Sequence, residues 1–216
     1  MPSPHRTLPT RAIFFDFDGV LTRDQTGSLT TLSYLSEKTG VGLGELQAAF
    51  KKYNTDLNLG RVTHREVWSD VCNAIGRPID EALLLPAFET TPMNAGMLEL
   101  ARALKENYFV GIITDNKQDR IDHLKVQLGL AALFDPIVVS AEVGSSKKGS
   151  LIFQHALSYL GIAPSESIFI DNSEENLVAP RALGMNTVHF DDEKNDVQAL
   201  VATLKEVYGV HISGAA

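Results

Sequence analysis

The chain has 216 residues, 44% of them hydrophobic, enough to build a sizeable core in one domain or in one domain carrying an insertion. A formal net charge of -8 and a pI near 5.2 argue against a protein that grips nucleic acid or an anionic membrane, so neither is expected as a partner and an anionic ligand would need a local cation. The single cysteine, Cys72, excludes an internal disulfide or a cysteine zinc site; with no apolar leader core in Met1 to Arg11 and no segment of membrane-spanning length, a reducing cytoplasm is the expected location.

The first element is Ala12-Ile-Phe-Phe15, an apolar run suited to a strand buried on both faces. It ends at Asp16-Phe-Asp18-Gly19. Side chains at i and i+2 of a strand project together, so both acids emerge where the strand stops, and Gly19 lets the backbone relax behind them. Taken alone, this is equally a strand leaving into a turn. A calcium loop is disfavoured, because the third acid and the distal Glu of that motif are not met and the flank is strand-like.

Residues 23 to 90 read as helices only. Leu29, Leu32 and Leu35 mark one, Leu46, Ala49, Phe50 and Tyr53 a second, and Val67, Val71, Cys72 and Ile75 a third. The third opens on a capping-box pattern, Thr63-His-Arg-Glu66, with Gly76 and Pro78 beyond its end. This unit leaves the chain directly after the acid pair and returns near Thr91-Pro92, so it is placed to cover the acids. Phe50 and Trp68 are read as its core in preference to a pocket wall.

From residue 94 onward helices and strands alternate. Met97, Leu100, Ala101 and Leu104 make a helical face, and Tyr108 to Ile113 a strand ending at Thr114-Asp115-Asn116. Ile121, Leu124 and Leu128 make the next helix, stopped by Gly129, and Ile137 to Val139 the next strand. Phe153, Ala156, Leu157 and Leu160 precede Gly161, Ser167 to Ile170 runs into Asp171, and Asn186 to Phe190 is followed by a closing helix through Val197, Leu200, Val201 and Leu204. The expected fold is α/β: a Rossmann-like three-layer sandwich with a mainly parallel sheet, formed by residues 1–22 and 91–216, carrying a small all-α cap of residues 23–90.

In a parallel sheet four strand ends converge on one edge. They bring Asp16 and Asp18, Thr114 with Asp115, the Gly144-Ser-Ser-Lys147-Lys148 loop, and Asp171 with Asn172. Each has an ordinary structural use as a helix cap, a solvated loop lysine or a turn residue. As a set they form a chemistry: oxygen ligands can hold magnesium, a lysine and a hydroxyl can hold phosphate oxygens, and an aspartate can attack phosphorus.

These motifs, in this order and across nearly the whole chain, resemble those of the haloacid dehalogenase (HAD) superfamily, specifically its phosphatase-like members with a helical cap after the first strand. The matching segments are Asp16-Phe-Asp-Gly-Val-Leu-Thr22, Thr114, Lys147, and Ile168-Phe-Ile-Asp171-Asn172-Ser-Glu-Glu-Asn176. The resemblance implies that Asp16 attacks phosphorus to give an aspartyl phosphate and that Asp18 moves the proton. It implies a Mg2+ cofactor held by Asp16, the Asp18 backbone carbonyl, Asp171 and Asn172, and a substrate held by Thr114, Asp115 and Lys147. In the dehalogenating branch the residue matching Asp18 is not an acid, so Asp18 favours phosphate chemistry.

Three features depart from the family's pattern. Lys147 is followed by Lys148-Gly149 instead of Pro-Asp, which leaves two lysines for the phosphate; alignment favours Lys147. Asn172 replaces a common acid and is the weaker magnesium ligand, with Asp171 able to compensate. Pro180 is expected to kink the helix after Asp171 or leave a short irregular turn there, and to bias Ala179 away from helix. The function expected is a magnesium-dependent phosphatase of a small phosphorylated metabolite, such as a sugar phosphate or nucleotide, working as a monomer or homodimer. The alternatives are a phosphomutase with the same intermediate and a catalytically weak phosphate- or partner-binding member.

Overall fold

The computed structural model describes residues 9–212. The first eight and last four residues lie outside it, and with them most of the amino-terminal stretch read above for a leader. Five parallel strands make one sheet: β1 (Ala12–Phe15), β2 (Phe109–Thr114), β3 (Ile137–Val139), β4 (Ser167–Asp171) and β5 (Asn186–His189), in the order β3-β2-β1-β4-β5. β1 is central, with Ala12 level with Phe109 on one side and Ser167 on the other. Its side chains divide as an apolar run should: Ile13 and Phe15 enter one core, Ala12 and Phe14 the other, all four with no exposure. Full burial of a large apolar side chain is worth roughly 1.5–3 kcal/mol, so the strand that carries the acid pair is firmly anchored.

Between β1 and the next strand the chain first makes five helices, α1 (Gly27–Thr39), α2 (Leu43–Lys51), α3 (Asn54–Asn58), α4 (His64–Ile75) and α5 (Leu84–Glu89). α1 packs on α5 and α2 on α4. Both halves of the capping box at Thr63 and Glu66 are formed. The second expected helix is broken, since α2 stops at Lys51 and Tyr53 belongs to the turn into α3. α5 escapes the helical period because it has only six residues. Phe50 and Trp68 are buried with ring centroids 5.9 Å apart, and the Trp68 indole donates to the Ile79 carbonyl at 2.9 Å. The chain leaves and re-enters through an antiparallel bridge between Thr22 and Met93.

The remaining helices are α6 (Ala95–Lys105), α7 (Gln118–Gln127), α8 (Ser140–Val143), α9 (Leu151–Leu160), α10 (Val178–Leu183) and α11 (Val197–Tyr208). α6, α7 and α11 contribute to the larger core with Ile13 and Phe15, and α9 to the second with Phe14, which gives three layers. α7 ends before Leu128, which is left 41% exposed and does not join the face of Ile121 and Leu124. Pro180 lies in the first turn of α10, where a missing N–H costs no intrahelical bond. Ala179 is therefore helical, and the irregular stretch precedes it as a 3-10 turn over Glu174–Leu177. No helix among the described residues is long and apolar enough to cross a membrane.

Candidate active site

Because the strands are parallel, β1, β2 and β4 all end on one edge, where open α/β sheets place their ligands. A cleft of about 600 Å³ opens there, lined by Asp16, Asp18, Thr114, Asp115, Lys147 and Asn172 among others. Asp171 lies fully buried beneath them.

Asp16 ends β1 in extended conformation, and one of its oxygens accepts from the Phe17 amide at 2.7 Å. The turn that follows is wide, closed by the Thr22 amide on the Phe17 carbonyl at 3.0 Å. Gly19 sits within it at φ +84°, and a Cβ there would overlap the Asn172 amide, so a side chain at this position would displace Asn172.

Lys147 joins the strand ends. Its ammonium lies 2.7 Å from Asp16 Oδ2 and 2.7 Å from Asp171 Oδ2, with the lysine side chain 2% exposed. Of the two adjacent lysines Lys147 is the one that lines the cleft, while Lys148 points outward with its side chain 76% exposed. The loop is held by Asp115, whose Oδ1 accepts from the Lys147 amide at 2.8 Å. Asp115 thus shapes the loop that presents the lysine. The other Asp171 oxygen accepts from the Ser173 amide at 2.8 Å and from the Asn176 amide group at 3.1 Å.

Two buried carboxylates around one ammonium leave an excess negative charge in a medium that solvates it poorly. Burial, opposed by Lys147 and reinforced by Asp171, pushes the Asp16 carboxyl up to about 8. Burial alone would lower the Lys147 ammonium, but Asp16 and Asp171 outweigh it and hold the lysine above its ordinary range. Burial also raises Asp115, against the pull of Lys147.

Asp18 stands apart from this cluster and is held by residues that sequence reasoning missed. Arg120, from α7, forms a two-pronged fork on it, Nη1 to Oδ2 and Nη2 to Oδ1, each 2.9 Å, and the Asn116 amide donates to Oδ2 at 2.8 Å. Arg120 is 1% exposed, and it also donates to Asn116 Oδ1 and to Thr91 Oγ1. Asn116 further donates to Thr114 Oγ1 at 3.3 Å, so the hydroxyl of Thr114 is tied to the same network. Ser140 fixes the loop from the far side, accepting from the Asn116 backbone N–H at 2.9 Å and donating to the Asn58 backbone carbonyl of the helical segment at 2.6 Å.

The space for Arg120 depends on Gly27, where a Cβ would overlap the guanidinium. Gly27→Ala is expected to lower stability by about 1–3 kcal/mol through this overpacking. Chemical denaturation reads the loss, and an unshifted midpoint would show that α1 moves aside without strain.

Asp16, Asp171 and the Asn172 amide offer hard oxygen donors of the kind magnesium takes, and magnesium keeps several waters and needs few protein ligands. The described residues contain no group of three or more His, Cys, Asp or Glu arranged to hold a metal by themselves. The oxygen donors at this edge fit an ion completed by water and substrate oxygens.

A family model described as haloacid dehalogenase-like hydrolase matches residues 10–184. Among curated proteins, the chain is 28% identical to bifunctional epoxide hydrolase 2 of Sus scrofa, over 95% of this chain and 40% of that one. The chain thus spans about two-fifths of the length of that relative. It is 26% identical to the pyrimidine 5'-nucleotidase YjjG of Escherichia coli, over 92% of this chain and 94% of the relative. Its fold superposes on a HAD-family enzyme of Bacteroides thetaiotaomicron, solved with magnesium and inorganic phosphate, at a TM-score of 0.73 and 19% identity, covering 88% of this chain and 98% of that one.

Proposed function

Because the chain belongs to the haloacid dehalogenase-like hydrolases, we propose that it is a magnesium-dependent phosphatase of a small phosphorylated compound, working through an aspartyl phosphate. The observation that carries the proposal is the Lys147 ammonium set between Asp16 and Asp171 at 2.7 Å from each. A carboxylate nucleophile and a phosphate ester repel each other, and a fixed buried cation beside the nucleophile offsets that repulsion as charge builds in the transition state. The pyrimidine nucleotidase relative and the magnesium and phosphate complex of the structural neighbour support the same reading. The lone Cys72 suits a cytoplasmic setting.

Asp16 attacks phosphorus, the bond from phosphorus to the ester oxygen breaks, and the leaving oxygen takes a proton from Asp18. Water then attacks the phosphorus of the aspartyl phosphate, Asp18 accepts its proton, and phosphate leaves as the Asp16 carboxylate is restored. Lys147 and the Thr114 hydroxyl steady the phosphate oxygens. Asp16, the Asp18 backbone carbonyl, Asp171 and Asn172 are the residues to hold magnesium, which when bound supplies charge neutralisation for the meeting of two anions.

One observation favours the other reading, a member that binds phosphate without turnover. Both Asp18 oxygens already accept from Arg120, so proton delivery to the ester oxygen requires one of these bonds to open. Phosphate release from p-nitrophenyl phosphate, with magnesium and again after chelation, separates the two. Metal-dependent release is expected. Phosphate binding without release would establish the binding member, and release unaffected by chelation would overturn the metal dependence.

A further inference from the structure

A second cavity, of about 310 Å³, lies between the helical segment and the sheet edge. It shares Thr26, Gly27, Ser28, Asn54 and Lys117 with the cleft that holds the acids, so the two spaces adjoin. A phosphate seated against Lys147 would have this cavity as the adjoining space for its ester substituent.

The chemistry of the walls is uneven. The interior is built by Leu32, Phe50, Leu57 and Phe88, none more than 8% exposed, so Phe50, expected as core in preference to a pocket wall, serves as both, whereas Trp68 is core alone. Most of the polar groups that also line it are engaged within the protein, although the Arg120 Nε is buried without a partner and His64 is bonded through Nδ1 alone. His64 Nδ1 is 2.7 Å from Asp119, the Thr31 hydroxyl donates to the Gly27 carbonyl at 2.8 Å, and Arg120 grips Asp18. The Lys117 ammonium donates to Ser28 Oγ at 2.6 Å; burial, then the nearby Arg120 charge, lowers it to about 8. The polar side chains without such commitments, Gln47, Lys51 and Asn54, sit on the exposed rim.

A sugar or nucleoside in this cavity would set most of its hydroxyl groups against the side chains of Leu32, Phe50, Leu57 and Phe88, and each such group loses its water without replacement. Alkyl, isoprenoid or aryl carbon would lose nothing polar. At about 30 Å³ for each water-sized group, the cavity has room for on the order of ten of them.

We infer that the cavity selects phosphate monoesters of apolar alcohols, with a hydrocarbon body of about eight to ten carbons, over the sugar phosphates and nucleotides expected from sequence. The inference rests on the phosphatase reading for turnover, while the binding preference stands apart from it.

The test uses two series on the wild-type chain, alkyl phosphates from ethyl to octyl for phosphate release and the matching alkylphosphonates for calorimetric binding. Both kcat/KM and phosphonate affinity are expected to rise roughly fourfold per methylene until the cavity is full. Glucose 6-phosphate and uridine 5'-monophosphate should fall at least about 100-fold below octyl phosphate. Leu29→Asn, at a rim position 48% exposed and therefore safe for folding, should lower octyl phosphate several-fold more than ethyl phosphate. Turnover with a flat alkyl series, or with the sugar phosphate preferred, overturns the inference and leaves the phosphatase reading standing. Rising phosphonate affinity with no phosphate released from any ester does the reverse. An equal effect of Leu29→Asn on both esters removes the assignment to this cavity.

Discussion

Asp16→Asn is expected to reduce phosphate release on the order of 10⁴-fold or more, while the metal-free protein becomes more stable. The loss follows from removing the only carboxylate that both ends β1 and opens to the cleft, because an amide oxygen at that place cannot form the aspartyl phosphate. The gain follows from charge. With Asp16 ionised, Lys147 faces two buried carboxylates; with an amide there, Lys147 and Asp171 form a neutral pair that keeps its 2.7 Å contact.

The sign of the pH dependence is fixed by the raised Asp16 carboxyl. Between its ordinary value of 3.8 and about 8 the folded chain holds a proton that the unfolded chain has released, so wild-type stability falls as pH rises through this window. The variant lacks this group. Its advantage should be absent below pH 3.8 and grow to on the order of 5 kcal/mol above pH 8, as urea unfolding in the presence of a chelator would measure. A variant less stable than wild type at pH 8 would mean that the ion pair with Lys147 outweighs the burial of Asp16.

The balance of net favourable and unfavourable charge around Asp16 is a property that no local pattern displays, and the same distinction separates what the sequence reveals from what it hides. β1 and the Ile168–Ile170 centre of β4 are legible because their residues are apolar without interruption, as in a strand covered on both faces. Asp16, Asp18, Thr114 and Asp171 are legible because each directly ends or follows such a strand, and parallel pairing then puts them on one edge. Lys147 is harder, since its neighbour is also a lysine; burial distinguishes the two, and burial depends on the Asp115 carboxylate 32 residues away.

Arg120 was not legible at all. It lies among Gln118, Asp119, Asp122 and His123 on a helix whose apolar period is weak, and its partner Asp18 is 102 residues distant. Ser140 is similar, because its hydroxyl joins Asn58 and Asn116 from different parts of the chain. Short elements are hidden for another reason. α5 and α8 have six and four residues, fewer than two turns, so neither presents a helical repeat. Tertiary contact, with no local preference to announce it, holds these pieces.

Lys147→Met should be the most destabilising single change at the site, costing about 3–5 kcal/mol and reducing phosphate release by about 10² to 10⁴-fold. Methionine fills much of the same space, so the effect isolates the ammonium. Above pH 8, where Asp16 is ionised beside Lys147 in the wild type, removing the ammonium leaves Asp16 and Asp171, whose side chains are 7% and 0% exposed, facing each other with no cation between them. Asp171 keeps the Ser173 and Asn176 hydrogen bonds, whereas Asp16 keeps only the Phe17 amide, so Asp16 carries most of the penalty. A double-mutant cycle tests this division. Asp16→Asn in the Lys147→Met background should recover at least about 1 kcal/mol more than it gains in wild type at the same pH, because it removes one of the two facing charges. Lys148→Met, on the outward-pointing neighbour, should change stability by less than about 0.5 kcal/mol. Equal losses for the two lysines, or additive behaviour in the cycle, would show that Asp16 and Asp171 do not depend on the shared ammonium.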